Sequence, residues 1–143
     1  MAAPAIPATE EARLAELQSY RVLDTPAEKP FDDIVKLVAY ILDVPTALVS
    51  LIDTDRQWFK ARYGLDATET SREVSFCGHV VADGATMVVP DATEDARFKD
   101  NPLVTGDPHV RAYFGVPPKT ERGHALGTLC ALDSKPRTFS PQQ

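Results

Sequence analysis

Asp53-Thr54-Asp55-Arg56-Gln57-Trp58-Phe59-Lys60 is a polar turn running into an aromatic strand, and the apolar run Ala47-Leu48-Val49-Ser50-Leu51-Ile52 stands directly before it. Two strand-like runs around a short Asp-rich connection predict a β-hairpin. Residues 47–52 are apolar on both faces, which suits a central strand covered on both sides. Residues 57–63 alternate instead: Phe59, Ala61 and Tyr63 fall on one face, Lys60 and Arg62 on the other, and Gly64 stops the strand. Further on, Ser75-Phe76-Cys77-Gly78-His79 is a small-and-aromatic patch that can open a helix over residues 76–82, beside that sheet.

Outward from this centre the chain reads as short elements and turns. Thr9 can cap a first helix, with Glu10 and Glu11 in its first turn and Leu14 and Leu17 as its apolar stripe. Asp24-Thr25-Pro26 breaks it. A second helix starts near Pro30 and carries Phe31, Ile34, Val35, Val38, Ile41 and Leu42 at helical spacing, until Asp43-Val44-Pro45 ends it. Strands are expected at 87–89, 110–116 and 125–132, with a polar, turn-rich stretch at 91–108 that holds one short helix around 96–99. Ser140-Pro141-Gln142-Gln143 is a helix-start signal with no helix after it, so the expectation is a domain over 9–143 cut before a C-terminal helix. Residues 1–8 read as a flexible leader: they lack the basic and apolar regions of a signal peptide.

A chain of 143 residues, 43% hydrophobic and 25% charged, suits one domain with a real core. Its apolar runs are too short to span a bilayer as a helix. The net charge of −6, with basic residues scattered singly, argues against a nucleic-acid surface. Two cysteines far apart, with no CxxC, argue against a disulfide framework and for a reducing cytoplasm.

Candidate site residues follow from local pattern. Cys77 at a helix start admits three roles: packed core residue, pocket lining, or nucleophile with a lowered pKa. Cys130 alternates with Leu126, Thr128 and Leu132 and reads as plain core. His79, His109 and His124 are spread out without zinc spacing, and no metal is expected. Asp91, directly after Pro90, is either a turn former or an acid facing a pocket. Arg111 and Tyr113 alternate on one face of the 110–116 strand, opposite Val110, Ala112, Phe114 and Val116. An Arg beside an aromatic ring can clamp an anion or a planar ring, or simply face solvent. Arg97, Phe98 and Asn101 lie where a lid could close over the same cavity. No catalytic constellation is present, and the expectation is a non-enzyme.

The blocks Tyr20-Arg21-Val22-Leu23-Asp24-Thr25, Arg56-Gln57-Trp58-Phe59, Ser75-Phe76-Cys77, Asp91 with Arg97-Phe98, Asn101-Pro102-Leu103-Val104 and Gly127-Thr128-Leu129-Cys130-Ala131-Leu132-Asp133 together strongly resemble the GAF domain. The resemblance is to the bacterial sensory subgroup found in histidine kinases, diguanylate cyclases and phosphodiesterases, and it covers residues 9–139. It implies an α+β fold: an antiparallel sheet of about five to six strands with helices on both faces. It implies a small-molecule cavity between one sheet face, the Cys77 helix and the 91–110 segment, with Phe76, Cys77, His79, Asp91, Arg97, Phe98, Asn101, Arg111 and Tyr113 as ligand-binding residues. It further implies a homodimer and control of an attached output domain, as in two-component signalling.

Three known chemistries of the family can be tested on these residues. The spaced Asn, Lys, Phe, Asp and Glu of cyclic-nucleotide binders cannot be aligned here. Covalent bilin attachment needs a Cys in the 95–109 segment, which has none. Free methionine-(R)-sulfoxide reductases share the Cys-Gly at Cys77-Gly78, but need a further Cys between the third and fourth strands that is lacking here; Cys130 reads as a poor substitute. The reading is a cytoplasmic sensory domain with an unidentified small-molecule ligand. The alternatives are a Cys77 thiol reductase and a ligand-free dimerisation module.

Overall fold

A computed structural model describes residues 2–139. In chain order the elements are α1 (Glu10–Ser19), α2 (Lys29–Leu42), β1 (Thr46–Ile52), β2 (Arg56–Tyr63), β3 (Glu69–Ser71), α3 (Phe76–Asp83), β4 (Met87–Val89), a 3-10 turn (Ala92–Glu94), α4 (Pro102–Thr105), β5 (Ala112–Val116) and β6 (Gly127–Asp133). The strands form a six-stranded sheet in the order β3-β2-β1-β6-β5-β4, antiparallel throughout. The expected α+β architecture is therefore present. The helix-start signal at 140–143 lies outside the described residues.

The apolar β1, expected to be covered on both faces, divides two cores. Leu48 and Ile52 face a cluster built from Phe76, Cys77 and Val80 of α3, with Phe98 and Tyr113. Ala47 faces the other, with Val35, Ala39 and Leu42 of α2. The sheet does not cover all of the apolar residues of α2: Ile34 and Ile41 of the expected stripe are exposed, as are Leu37 and Tyr40.

Three local expectations are corrected. Phe59 and Ala61 do not share a face, because β1 and β2 are out of step by one residue: Val49 pairs Ala61, Ser50 pairs Phe59, and Lys60 is the bulged residue between them. The bulge sends Phe59 to the α3 side and Ala61 to the α2 side. Lys60 is buried, its Nζ donating to Thr25 Oγ1 at 2.7 Å and Pro26 O at 2.8 Å and pairing with Glu28 at 2.5 Å. Second, residues 96–100 form turns, while helical geometry falls on either side, at Ala92–Glu94 and at Pro102–Thr105. Third, β5 starts at Ala112, so Val110 joins the core on the Tyr113 side, not that of Ala112.

Thr9 makes no side-chain cap on α1. That helix is instead docked through charge. Glu10, Arg13 and Arg72 form a mostly buried cluster tying α1 to the segment between β3 and α3. Gly64, which ends β2, has φ +77°, and a Cβ there would lie 1.9 Å from Pro45 O, so the close chain approach requires glycine. Residues 2–8 contain no helix or strand; Ala2 O lies 3.2 Å from His79 Nε2, and a Cβ on Gly78 would come within 2.8 Å of the Pro4 ring.

Candidate functional site

A cavity of about 350 Å³ opens on the α3 side of the sheet. Leu48, Cys130 and Leu132 of the central strands and Tyr113 of β5 form its floor. Phe76 and Cys77, in the first turn of α3, form one wall, and Gln57 and Phe59 of β2 the facing one. Two connections close it: Leu65, Asp66 and Thr70 on the way to and into β3, and Leu103, Asp107 and Val110 around α4. Its exposed mouth includes Gly64, Asp66 and Asp107.

The sequence explains the helix wall. Ser75 caps α3, accepting from Gly78 N at 3.0 Å, and its own hydroxyl donates to Arg72 O at 2.7 Å. That cap points Phe76 and Cys77 at the sheet. Phe76 stacks on Phe98 with ring centroids 4.0 Å apart and planes within 8°, and Tyr113 packs at 5.3 Å.

At the cavity floor lies a buried polar network. Thr128 Oγ1 donates to Cys77 Sγ at 2.9 Å, and Tyr113 Oη lies 3.1 Å from the same sulfur. Thr128 has one hydrogen and spends it on Cys77, so the 3.0 Å contact with Ser50 Oγ must be donated by Ser50. Cys130 Sγ is 3.7 Å from Cys77 Sγ, and both thiols are free and buried. Burial pushes the Cys77 thiol up, but the polar groups of Cys130, Ser50, Thr128 and Tyr113 around it outweigh that and bring it down to about 7. Cys130 is driven well up, first by its hydrogen bond to Cys77 and then by burial; Tyr113 is also raised, mainly by burial. The pair thus holds one proton, on Cys130, more tightly than the other.

Gln57 supplies a second polar feature. Thr70 Oγ1 donates to Ser71 O at 3.0 Å, so it must accept the 3.0 Å bond from Gln57 Nε2. This orients the amide and leaves Gln57 Oε1 buried without a partner. Among the described residues lining the cavity there is no Lys, Arg or His.

Of the residues read as ligand-binding, Phe76, Cys77 and Tyr113 line the cavity. Phe98 backs it through Phe76. The other five are engaged elsewhere. His79 meets Phe98 edge-on at 4.9 Å and is held below its ordinary pKa chiefly by burial. Asp91 accepts from Thr93 N at 3.0 Å and Thr93 Oγ1 at 2.7 Å. Arg97 pairs with Asp95 at 2.8 Å. Asn101 caps α4 through Leu103 N at 2.9 Å and donates to Val74 O at 3.0 Å. Arg111, which the alternation pattern put beside Tyr113, turns back to Val104 O at 2.9 Å because β5 has not yet begun there. Cys130 and Gln57 were the residues the pattern missed. The Thr128, Cys130, Leu132 alternation carried the signal for the first, since one strand face is both core and cavity floor.

Among the described residues no three His, Cys, Asp or Glu side chains gather as a metal cluster, and no helix is long and apolar enough to cross a membrane.

A six-stranded antiparallel sheet with a cavity between one face and a capped short helix defines a small α+β domain. The GAF domain family profile matches residues 26–143, and the chain belongs to that family. It is 40% identical over 137 residues to the cyclic di-GMP phosphodiesterase PA2567 of Pseudomonas aeruginosa; the match covers 96% of this chain but only 23% of that protein's length. Among solved structures it is similar to the GAF domain of the Coxiella burnetii phosphoenolpyruvate-protein phosphotransferase, with TM-score 0.65 and 17% identity over 92% of this chain and 82% of that one. It is also similar to the free methionine-R-sulfoxide reductase of Neisseria meningitidis solved with its substrate, with TM-score 0.64 and 20% identity over 98% and 85% of the two chains. At these identities the structural likeness establishes the fold.

Proposed function

We propose that this chain is the small-molecule-sensing GAF domain of a cytoplasmic signalling protein, without catalysis of its own, and that it regulates an attached output domain. The observation that carries this reading is the 350 Å³ cavity, walled by the sheet, α3 and two connecting segments. A ligand that binds better to one arrangement of those segments shifts the population of the whole domain. The likeness to a cyclic di-GMP phosphodiesterase favours cyclic di-GMP turnover as the output, above a histidine kinase. The α2 face with exposed Leu37, Tyr40 and Ile41 supports action as a homodimer.

The cavity chemistry narrows the ligand. Gln57 Oε1 lacks a donor among the described residues, Asp66 and Asp107 sit at the mouth, and no described Lys, Arg or His lines the walls. A small neutral or cationic molecule with an apolar body and an N–H or O–H donor fits these walls better than an anion. A thermal-shift screen of small amines, amides and polyols tests this, with Leu103→Trp narrowing the cavity as control. Stabilisation of the wild type but not the variant supports the reading; shifts equal in both, or none at all, sink it.

A second reading, thiol-dependent reduction of free methionine-(R)-sulfoxide through Cys77, gains from the Cys130 sulfur 3.7 Å away. Turnover that disappears in Cys77→Ser would support it, and absence of turnover in the wild type ends it.

A further inference from the structure

We propose that Cys77 and Cys130 are a peroxide-reactive dithiol that closes to a reversible disulfide in the floor of the cavity. This goes beyond metabolite sensing and does not depend on a bound ligand.

Four observations converge on it. The sulfurs are 3.7 Å apart, on elements that are remote in sequence and packed face to face. Both cysteines line the cavity, whose mouth reaches solvent, so a small hydroperoxide has a path to thiols that are each only 2% exposed. The two sulfurs are inequivalent: hydroxyls of Thr128 and Tyr113 and the Cys130 thiol converge on Cys77, an arrangement that favours its thiolate. Finally, Ser50 and Thr128 are polar side chains, 0% and 2% exposed, on the central strands of an otherwise apolar core. Simple packing would be served as well by Ala and Val, whereas a chain of hydroxyls ending on a sulfur serves an anion.

The chemistry balances. The Cys77 thiolate attacks the outer oxygen of a hydroperoxide; an S–O bond forms, the O–O bond breaks, and the leaving alkoxide takes a proton to become an alcohol. The Cys130 sulfur then attacks Cys77 Sγ; an S–S bond forms, the S–O bond breaks, and hydroxide leaves with the Cys130 proton as water. Two thiols and one hydroperoxide become a disulfide, an alcohol and water, the sulfurs supplying both electrons. A dithiol reductant returns both cysteines to thiols by exchange and is itself oxidised to a disulfide, while the alcohol and water remain.

Closing from 3.7 Å to the ~2.05 Å of a disulfide draws the first turn of α3 toward β6 and strips Cys77 of its Thr128 and Tyr113 contacts. Phe76, next to Cys77 and stacked on Phe98, moves with it. Oxidation at the floor therefore reshapes the cavity wall.

The test is intact-mass and peptide mapping of the reduced chain after equimolar hydrogen peroxide, acid quench and alkylation under denaturing conditions. The expected product has lost two hydrogens, alkylates at neither cysteine, and yields a Cys77–Cys130 linked peptide that a dithiol reductant separates. In Cys130→Ser the same treatment should stop at a sulfenic acid on Cys77, trapped by a dione probe. In Cys77→Ser the remaining cysteine should stay fully alkylatable. Thr128→Val keeps both thiols and should slow the reaction at least about tenfold, since a hydrogen bond to a charged group is lost; it serves if a cysteine variant does not fold. A wild type that still alkylates at both cysteines overturns the proposal. So does oxidation of Cys130 in Cys77→Ser at the wild-type rate, or a disulfide that forms only between chains.

Discussion

Glu10→Gln isolates the contact that holds α1 to the rest of the domain. Both carboxylate oxygens accept from both guanidiniums: Arg13 at 2.7 and 3.1 Å, Arg72 through Nη2 at 3.2 Å and through Nη1. Arg13 and Arg72 are 1% and 4% exposed, so neither can turn to water if Glu10 becomes neutral. Burial pushes the Glu10 carboxyl up, but the two arginines overcome that and hold it at about 2, against an ordinary 4.5. At about 1.36 kcal/mol per pH unit that gap is worth about 3 kcal/mol. The carboxylate keeps some contact with water, which screens the charge and reduces the figure to about 2 kcal/mol. A carboxyl held low stabilises the fold fully above its ordinary value and loses that stabilisation as the pH falls toward about 2. Urea unfolding followed by Trp58, the single tryptophan, reads the difference. The expected result is a loss of about 2 kcal/mol at neutral pH, with the gap between wild type and variant more than halved by about pH 3. A variant within about 0.5 kcal/mol of wild type, or a gap that does not change with pH, would refute the argument that charge docks α1.

Four further outcomes are expected. Gly115→Ala puts a Cβ 2.3 Å from Tyr113 Oη and 2.6 Å from its ring, and Tyr113 is 1% exposed; the cost should be about 1–3 kcal/mol in urea unfolding, and no loss would mean the ring has room to move. Lys60→Met removes the donor to Thr25 and Pro26, and should cost about 1.5–3 kcal/mol and speed proteolysis near that segment; an unchanged midpoint contradicts the role of the bulge. The Cys77 thiolate absorbance, as the difference between wild type and Cys77→Ser under reducing conditions, should titrate at about 7. Because this is below the thiol's ordinary 9, its contribution to stability is complete above 9 and fades as the pH falls through about 7; titration at 9 would show that the hydroxyls do not reach the sulfur. Light scattering should find a dimer that Leu37→Glu with Tyr40→Glu dissociates, those side chains being 56% and 84% exposed; a dimer indifferent to both assigns the interface elsewhere.

The hairpin and the two main helices were legible because apolar periodicity and turn chemistry agree there, from the 47–52 run through the Asp-rich turn to the aromatic return. What escaped was set by partners, not by local pattern. The edge strand β3, Glu-Thr-Ser, has no apolar residue and exists only because β2 supplies its hydrogen bonds. The bulge at Lys60 leaves no compositional trace, yet it turns Phe59 into the cavity and Ala61 away. The short helix expected around 96–99 falls instead at Pro102–Thr105, where the Asn101 side chain accepts from Leu103 N. The site was half legible for the same reason. Tyr113 and Phe76 follow from strand and helix faces, while Arg111 fails because alternation does not say where a strand begins. The 3.7 Å meeting of Cys77 and Cys130 joins two segments whose adjacency only the sheet order creates.

The central claim is that the cavity beneath α3 is where this domain takes its input. The most direct measurement is a ¹H–¹⁵N correlation spectrum of the uniformly labelled chain, titrated with a library of small amine- and amide-bearing fragments. The account predicts dose-dependent shifts gathered on Gln57, Leu65, Thr70, Cys77, Leu103 and Val110, and absent from the same positions in Leu103→Trp. Shifts confined to α2 or scattered over the surface, with the cavity residues silent throughout, would contradict it.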